Sequence, residues 1–178
     1  MNGCLIIASP RSGSTNLMRS IGSSYSIKTT FEPFAHGKNK TINPNTVTKV
    51  IASRLTILKV DQLISLFDKT ILLTRKSILE ASQSLYFLQH CIPNQGEINV
   101  KWSASGTVFD NNLMNRYIRS FSLEYDLIHS IGSKYNIPVD YYEDVYSSHS
   151  LSDSSISLDT EYLNPSKKLR NDRQITAI

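Results

Sequence analysis

An apolar stretch that leads into a loop of small residues, and then into a helical pattern, is the feature that most restricts the fold of this chain. Residues 4–8, CLIIA, are continuously apolar, and the loop SPRSG connects them to a helix-forming segment. The backbone N–H groups at the start of such a helix converge, and the helix dipole adds partial positive charge at the same place. Gly13 allows the chain to approach a bound group closely. The junction therefore predicts an anion-binding site.

The loop differs from the common nucleotide-binding pattern GxxxxGK[ST] in residues that carry its chemistry. Aligned on that pattern, Gly13 and Thr15 match, but Ser14 takes the place of the lysine. That lysine contacts the β- and γ-phosphates, and an acidic residue at the end of a nearby strand holds Mg²⁺. The best candidate for the neighbouring strand ends in Arg75 instead, while another cation, Arg11, lies inside the loop. The pattern favours anion binding without the chemistry of a nucleoside triphosphatase.

Length and composition fit one globular domain with a buried core. The chain has 178 residues, 40% of them hydrophobic, and a formal net charge of +4. Its basic residues are dispersed, so we expect no nucleic-acid partner. No apolar run is as long as a membrane span and the first residues do not resemble a signal peptide, so we expect a cytoplasmic protein without membrane association. The cysteines and histidines show no ligand spacing, which predicts that there is no metal site.

Apolar strand-like runs alternate with amphipathic patterns, which is typical of an α/β domain with helices on both sides of a mostly parallel sheet. We predict one three-layer α/β domain of the P-loop type over residues 1–146. The serine-rich and basic residues 147–178 either belong to it or are flexible. The segments are strands at 4–8, 47–52, 70–74 and 138–142, a weak strand or extended loop at 25–31, helices at 15–22, 61–67 (capped by Asp61), 77–89 and 112–135, and a surface loop at 91–110.

Three further segments follow the first loop in an order that resembles a known enzyme family. Residues 74–86, TRKSILEASQSLY, place Arg75 at the end of a strand and hydroxyl side chains on the next helix, where open α/β sheets bind ligands. Residues 31–34, FEPF, and 142–145, YEDV, are similar to an acidic motif and a last-strand motif of carbohydrate sulfotransferases. The chain resembles sulfotransferases that use 3′-phosphoadenosine 5′-phosphosulfate (PAPS), and the spacing from Arg75 to Ser84 is similar to that of the bacterial trehalose-type enzymes.

The resemblance implies a cofactor site made by both halves of this constellation. The first loop would bind the 5′-phosphosulfate of PAPS, and Arg75 with a serine would bind its 3′-phosphate. At 100° per residue Ser77 and Ser84 both lie at the edge of the core-facing stripe, and the spacing favours Ser84. The alternative is that Ser77 caps the helix and Ser84 faces solvent. The implied cofactor-binding residues are Pro10, Arg11, Ser12, Gly13, Ser14, Thr15, Arg75 and Ser84.

Sulfuryl transfer needs a base for the acceptor hydroxyl and a cation for the leaving phosphate, but no metal. We expect Arg11 and the loop N–H groups to stabilise the leaving phosphate, and Glu32 to be the general base. Cytosolic small-molecule sulfotransferases use a histidine two residues after a lysine, and here Lys49 is followed at that place by Ile51. The alternatives for Glu32 are an exposed carboxylate or a salt bridge to Arg11. Lys49 either points into the acceptor site or is a solvated charge.

The sequence thus predicts a sulfotransferase that transfers a sulfuryl group from PAPS to a hydroxyl of a small molecule. The resemblance favours a carbohydrate as the acceptor and is compatible with a homodimer. Two alternatives stay open: a P-loop kinase or nucleotidase with a displaced cation, and a nucleotide-binding module that has lost catalysis.

Overall fold

Parallel strands joined by helices make up the described part of the chain, which comprises residues 3–35, 41–91 and 110–146 of a computed structural model. The helices and strands are, in chain order, β1 (Cys4–Ala8), α1 (Ser14–Tyr25), β2 (Thr29–Phe31), β3 (Val47–Ile51), α2 (Ile57–Leu66), β4 (Lys69–Thr74), α3 (Ile78–Tyr86), α4 (Asn111–Tyr135), β5 (Val139–Tyr141) and α5 (Tyr142–Val145). A 3₁₀ turn at Ala52–Arg54 follows β3, and a π-helical turn at Phe87–Cys91 follows α3.

Strand β1 lies at the centre of a five-stranded parallel sheet with the order β2-β3-β1-β4-β5. It is buried along its whole length, as expected for a strand that is covered on both faces. Ile6 packs with α1 and α5 on one face, whereas Leu5 and Ile7 pack with α2 and α4 on the other. The prediction of a three-layer α/β domain with a mostly parallel sheet is therefore confirmed.

One predicted helix has the wrong start. Helix α2 begins at Ile57 instead of Asp61, and its cap is the Thr56 hydroxyl, which accepts a hydrogen bond from the Lys59 N–H at 3.4 Å. Asp61 lies inside the helix and forms an ion pair with Lys134 at 2.9 Å. The first turn gives no amphipathic signal, since Leu58 is 74% exposed although it is apolar.

Several sequence predictions fall outside the described residues. These are the segment 147–178 and nearly all of the loop predicted at 91–110, of which the structure describes the two ends. Within the described ranges, none of the helices combines the length and the apolar character that crossing a lipid bilayer requires.

Candidate functional site

Hydrogen bonds and two positive φ angles define the shape of the loop between β1 and α1. Arg11 and Gly13 have positive φ angles of 58° and 71°, and alternation of left-handed and ordinary backbone conformations turns successive N–H groups toward one point. The Ser12 hydroxyl donates to the Ser9 carbonyl at 2.8 Å. The Ser9 N–H donates to the Leu73 carbonyl of β4 at 3.0 Å. The loop is thus tied to itself and to the neighbouring strand.

Helix α1 begins without a capping side chain. Gly13 occupies its cap position, whereas α2, α3 and α4 each begin with a side chain that accepts a backbone hydrogen bond. The first N–H groups of any helix have no acceptor within the helix. Those of Ser14 and Thr15 can therefore bind an external anion, and the helix dipole favours it.

Two arginines from separate segments meet beside this helix end. Arg11 Nε donates to the hydroxyl of Ser84 at 3.1 Å, and Ser84 is buried. Burial lowers the pKa of Arg11, and the positive charge of Arg75 lowers it further. Repulsion between two guanidinium groups is relieved when an anion binds between them. Arg11 is thus in contact with Ser84, and Arg75 lies near enough to act on the charge of Arg11.

Carboxylates and an aromatic ring fix the side chain of Arg75. Its Nε donates to Glu143 Oε1 at 3.1 Å, its Nη2 donates to Glu80 Oε2 at 3.1 Å, and its Cζ lies 4.7 Å from the centre of the Tyr142 ring. Burial raises the pKa of Glu143, but hydrogen bonds from the Lys76 N–H and from Arg75 lower it below the ordinary value overall. Glu80 is 52% exposed, so its carboxylate is weakly held at Nη2.

The YEDV segment packs directly on the first loop. The Tyr146 hydroxyl donates to the Gly13 carbonyl at 2.9 Å, and burial raises the pKa of this tyrosine. A Cβ atom at Gly13 would lie 2.7 Å from the Tyr142 ring and 2.8 Å from the Tyr146 ring. Tyr142 therefore contacts both halves of the site, Gly13 through its edge and Arg75 through its face.

Gly13→Ala is expected to lower the free energy of unfolding by about 2–3 kcal/mol, because the side chain would be strained at positive φ and would displace the buried ring of Tyr146 and the partly buried ring of Tyr142. It should also weaken anion binding by the loop. Urea denaturation checks the first effect, and titration with adenosine 3′,5′-bisphosphate checks the second. Ser23→Ala, on the exposed face of α1, is the matched control. Unchanged stability and affinity in Gly13→Ala would contradict the role of this close approach.

Glu32 forms an ion-pair cluster with Lys49 and Arg54, next to the first turn of α1. It follows β2 with a strained φ of 38°, which marks a position that the surroundings hold in place. Its Oε1 accepts from Lys49 Nζ at 2.6 Å, and its Oε2 lies 3.4 Å from Arg54 Nη1. Lys49 Nζ also lies 3.5 Å from the hydroxyl of Thr15, in the first turn of α1. The partners of Glu32 are therefore Lys49 and Arg54, and the cluster adjoins the anion-binding loop.

Lys49 is buried, which excludes one of the two sequence alternatives for this residue. Only 4% of its surface is exposed, and burial lowers its pKa although Glu32 acts in the opposite direction. Lys49 is thus not a solvated charge. Its side chain places a cation between the proposed base and the loop.

The sequence analysis missed two charged residues near this cluster, Arg54 and Glu124. Glu124 of α4 is buried, and it accepts a hydrogen bond from the Ser53 N–H at 3.1 Å. The helical spacing of Phe121, Glu124 and Ile128 would have placed the glutamate on the buried face. No pattern in the sequence indicated the position of Arg54, since its partner, Glu32, is distant in the sequence.

Glu124→Gln is expected to change stability in a pH-dependent way. Burial raises the pKa of Glu124 above the 4.5 of an exposed glutamate, so the unfolded chain releases this proton at lower pH than the folded protein does. The wild-type protein should therefore lose stability relative to the variant as the pH rises above about 4.5, until the folded pKa is passed. Urea denaturation of both proteins between about pH 4 and pH 8 measures this difference. A difference that does not depend on pH would contradict the shift.

The sequence predicts that there is no metal site, and the structure describes residues 3–35, 41–91 and 110–146. In those ranges no three His, Cys, Asp or Glu side chains are grouped so that they could hold a metal ion.

Models of known protein families gave no match to the chain, and neither did curated proteins at a significant level. Function is therefore inferred from the site itself.

Proposed function

We propose that this protein is a sulfotransferase that moves a sulfuryl group from PAPS to a hydroxyl. The observation that carries the proposal is the contact of Arg11 with Ser84 beside the uncapped start of α1, within electrostatic reach of Arg75, with Glu32 after β2 on the side of β1 opposite to β4. All of these residues lie at or beyond the carboxyl ends of parallel strands, where α/β sheets bind ligands. Cations on one side and a carboxylate on the other are what sulfuryl transfer requires.

The site fits the two anionic ends of PAPS. The N–H groups of Ser14 and Thr15, with Arg11, would hold the 5′-phosphosulfate, since this helix start has no side-chain cap. Arg75 and Ser84 would hold the 3′-phosphate. The mutual repulsion of the two guanidinium groups supports an anionic ligand in general, because negative charge beside both of them would offset it.

The residues of the chain can supply the remaining steps. Bound PAPS provides a sulfuryl group that is activated by its anhydride bond to phosphate. Glu32 takes the proton of the acceptor hydroxyl as the acceptor oxygen forms its bond to sulfur. The bond from sulfur to the phosphate oxygen breaks, and Arg11 with the N–H groups of α1 stabilises the electron pair left on that oxygen. Lys49 and Arg54 orient the Glu32 carboxylate before the transfer.

An exposed ring beside the base supports a carbohydrate acceptor. Phe31 is 54% exposed, and Lys49 Nζ lies 4.5 Å from the centre of its ring. Aromatic side chains offer an apolar face to the C–H groups of a sugar ring. A sugar stacked on Phe31 would have its hydroxyls near Glu32, the next residue in the chain.

Titration with adenosine 3′,5′-bisphosphate tests the proposal most directly. We expect binding in the low micromolar range or tighter, about −8 kcal/mol, and equal affinity with and without Mg²⁺. Transfer of ³⁵S-sulfate from labelled PAPS to a panel of mono- and disaccharides then tests catalysis. Failure to bind the bisphosphate would overturn the proposal, and binding without transfer to any acceptor would favour a module that has lost catalysis.

The second candidate is a P-loop kinase, and the position of Lys49 is the observation that favours it. Its Nζ lies 3.5 Å from the Thr15 hydroxyl, so a cation from β3 reaches the place where the loop lysine is missing. The same titration separates the two classes, because a kinase would bind ATP with Mg²⁺ much more tightly than the bisphosphate.

A further inference from the structure

Glu124 is a buried carboxylate that the proposed mechanism does not use. It lies in the middle of α4 and is only 4% exposed. Its Oε2 accepts from the Ser53 N–H at 3.1 Å, and the groups that act on it are Ser53 and the positive charge of Arg54. Burying a carboxylate costs free energy that hydrogen bonds and charges must offset. Both compensating residues belong to the turn after β3.

The turn that Glu124 holds places Arg54 next to Glu32, the proposed base. It spans Ala52–Arg54 and is closed by a hydrogen bond from the Leu55 N–H to the Ala52 carbonyl at 3.0 Å. Arg54 Nη1 lies 3.4 Å from Glu32 Oε2. Since 37% of the Arg54 side chain is exposed, the guanidinium has room to leave Glu32 when the turn moves.

We propose that Glu124 is a positioning residue for Glu32, acting through the turn and through Arg54. Lys49 holds one oxygen of the Glu32 carboxylate and Arg54 holds the other, so together they fix the plane of the group. Loss of the Arg54 contact would let the carboxylate rotate, and a misaligned base slows the reaction without weakening cofactor binding. This inference rests on the proposed function, in which Glu32 is the base.

Two substitutions at Glu124 separate its hydrogen bond from its bulk. Glu124→Leu removes the acceptor for the Ser53 N–H, whereas Glu124→Gln keeps an acceptor oxygen. We expect the leucine variant to accelerate hydrogen exchange of the Ser53 amide and to lower kcat, each about tenfold, with the KM for PAPS unchanged. The glutamine variant should restore both to within about threefold of wild type. Asp126→Asn, on the exposed face of α4, should change neither.

Arg54→Met tests whether Glu124 acts through the turn. If it does, the double variant Glu124→Leu/Arg54→Met has the kcat of Arg54→Met alone, because the path is already broken. The proposal would be overturned if the effects of the two substitutions on kcat multiplied in the double variant. It would also be overturned by an unchanged kcat in Glu124→Leu, or by a Glu124→Gln variant whose kcat is not restored.

A second double-mutant cycle measures stability, so it does not depend on turnover. We expect the effects of Glu124→Leu and Glu32→Gln on the unfolding equilibrium constant to depart from additivity by about fivefold, and to become additive when Arg54 is replaced by methionine. Additive effects with Arg54 present would overturn the positioning role, even in an active enzyme. If this coupling were found but the wild-type protein transferred no sulfuryl group, only the proposed function would be overturned.

Discussion

Glu32→Gln is expected to reduce the rate of sulfuryl transfer by about a hundredfold or more, while the affinity for adenosine 3′,5′-bisphosphate changes by less than about threefold. Glutamine has nearly the same shape as glutamate but cannot accept the proton of the acceptor hydroxyl. The ion-pair partners of Glu32 are Lys49 and Arg54 and not the proposed cofactor residues Arg11, Arg75 and Ser84, so binding should persist. Single-turnover transfer from labelled PAPS measures the rate, and calorimetry measures the affinity.

The same substitution removes the charge that balances Lys49 and Arg54, so its effect on folding has to be measured too. Retained bisphosphate binding shows that the variant is folded. Asp61→Asn is the matched control, because it also neutralises one carboxylate of an ion pair, at the surface of α2. If Glu32→Gln transferred the sulfuryl group at the wild-type rate, Glu32 would not be the base.

Arg75→Ala should weaken binding of the bisphosphate about a hundredfold, since it removes charge-assisted hydrogen bonds to the 3′-phosphate that contribute about 1.5–3 kcal/mol each. The affinity of Arg75→Lys should lie between those of the wild type and Arg75→Ala, because lysine keeps the charge without the planar pair of donors. Calorimetric titration of each variant gives the affinity. Urea denaturation measures the smaller loss of stability caused by the broken ion pairs with Glu80 and Glu143.

Adenosine 5′-monophosphate makes this test specific to one phosphate, because it lacks the 3′-phosphate. We expect Arg75→Ala to leave its affinity nearly unchanged. Lys134→Ala removes a paired surface cation and is the control for overall charge. Equal losses for both nucleotides, or no loss for either, would contradict the assignment of Arg75 to the 3′-phosphate.

The parts of the fold that sequence alone predicted are those that local pattern determines. Residues 4–8 are a continuous apolar run and form a strand with those bounds, and the amphipathic repeat of α4 gave its end at Tyr135. The start of α2 was missed because its first turn exposes apolar side chains. Strand order depends on pairing between distant segments, so it could not be read from local pattern.

The candidate site divides in the same way. The loop at residues 9–13 and the strand ending before Arg75 are local features, and the spacing from Arg75 favoured Ser84 over Ser77. In the structure Ser77 caps α3, as in the alternative interpretation, whereas Ser84 is buried and bonds Arg11 instead of facing solvent. Arg54 and Tyr146 were missed because each acts on a residue far away in the chain, Glu32 and Gly13. Such contacts follow from topology and not from spacing.

The contact between Tyr146 and Gly13 also sets an order of events during synthesis. The two residues are separated by 133 positions, and the tyrosine belongs to the last part of the chain that the structure describes. Chains emerge from the ribosome amino end first. The loop at residues 9–13 therefore gains its hydrogen bond from Tyr146 only after residue 146 has emerged. A nascent chain stalled before this point should carry β1 and α1 without a completed anion site.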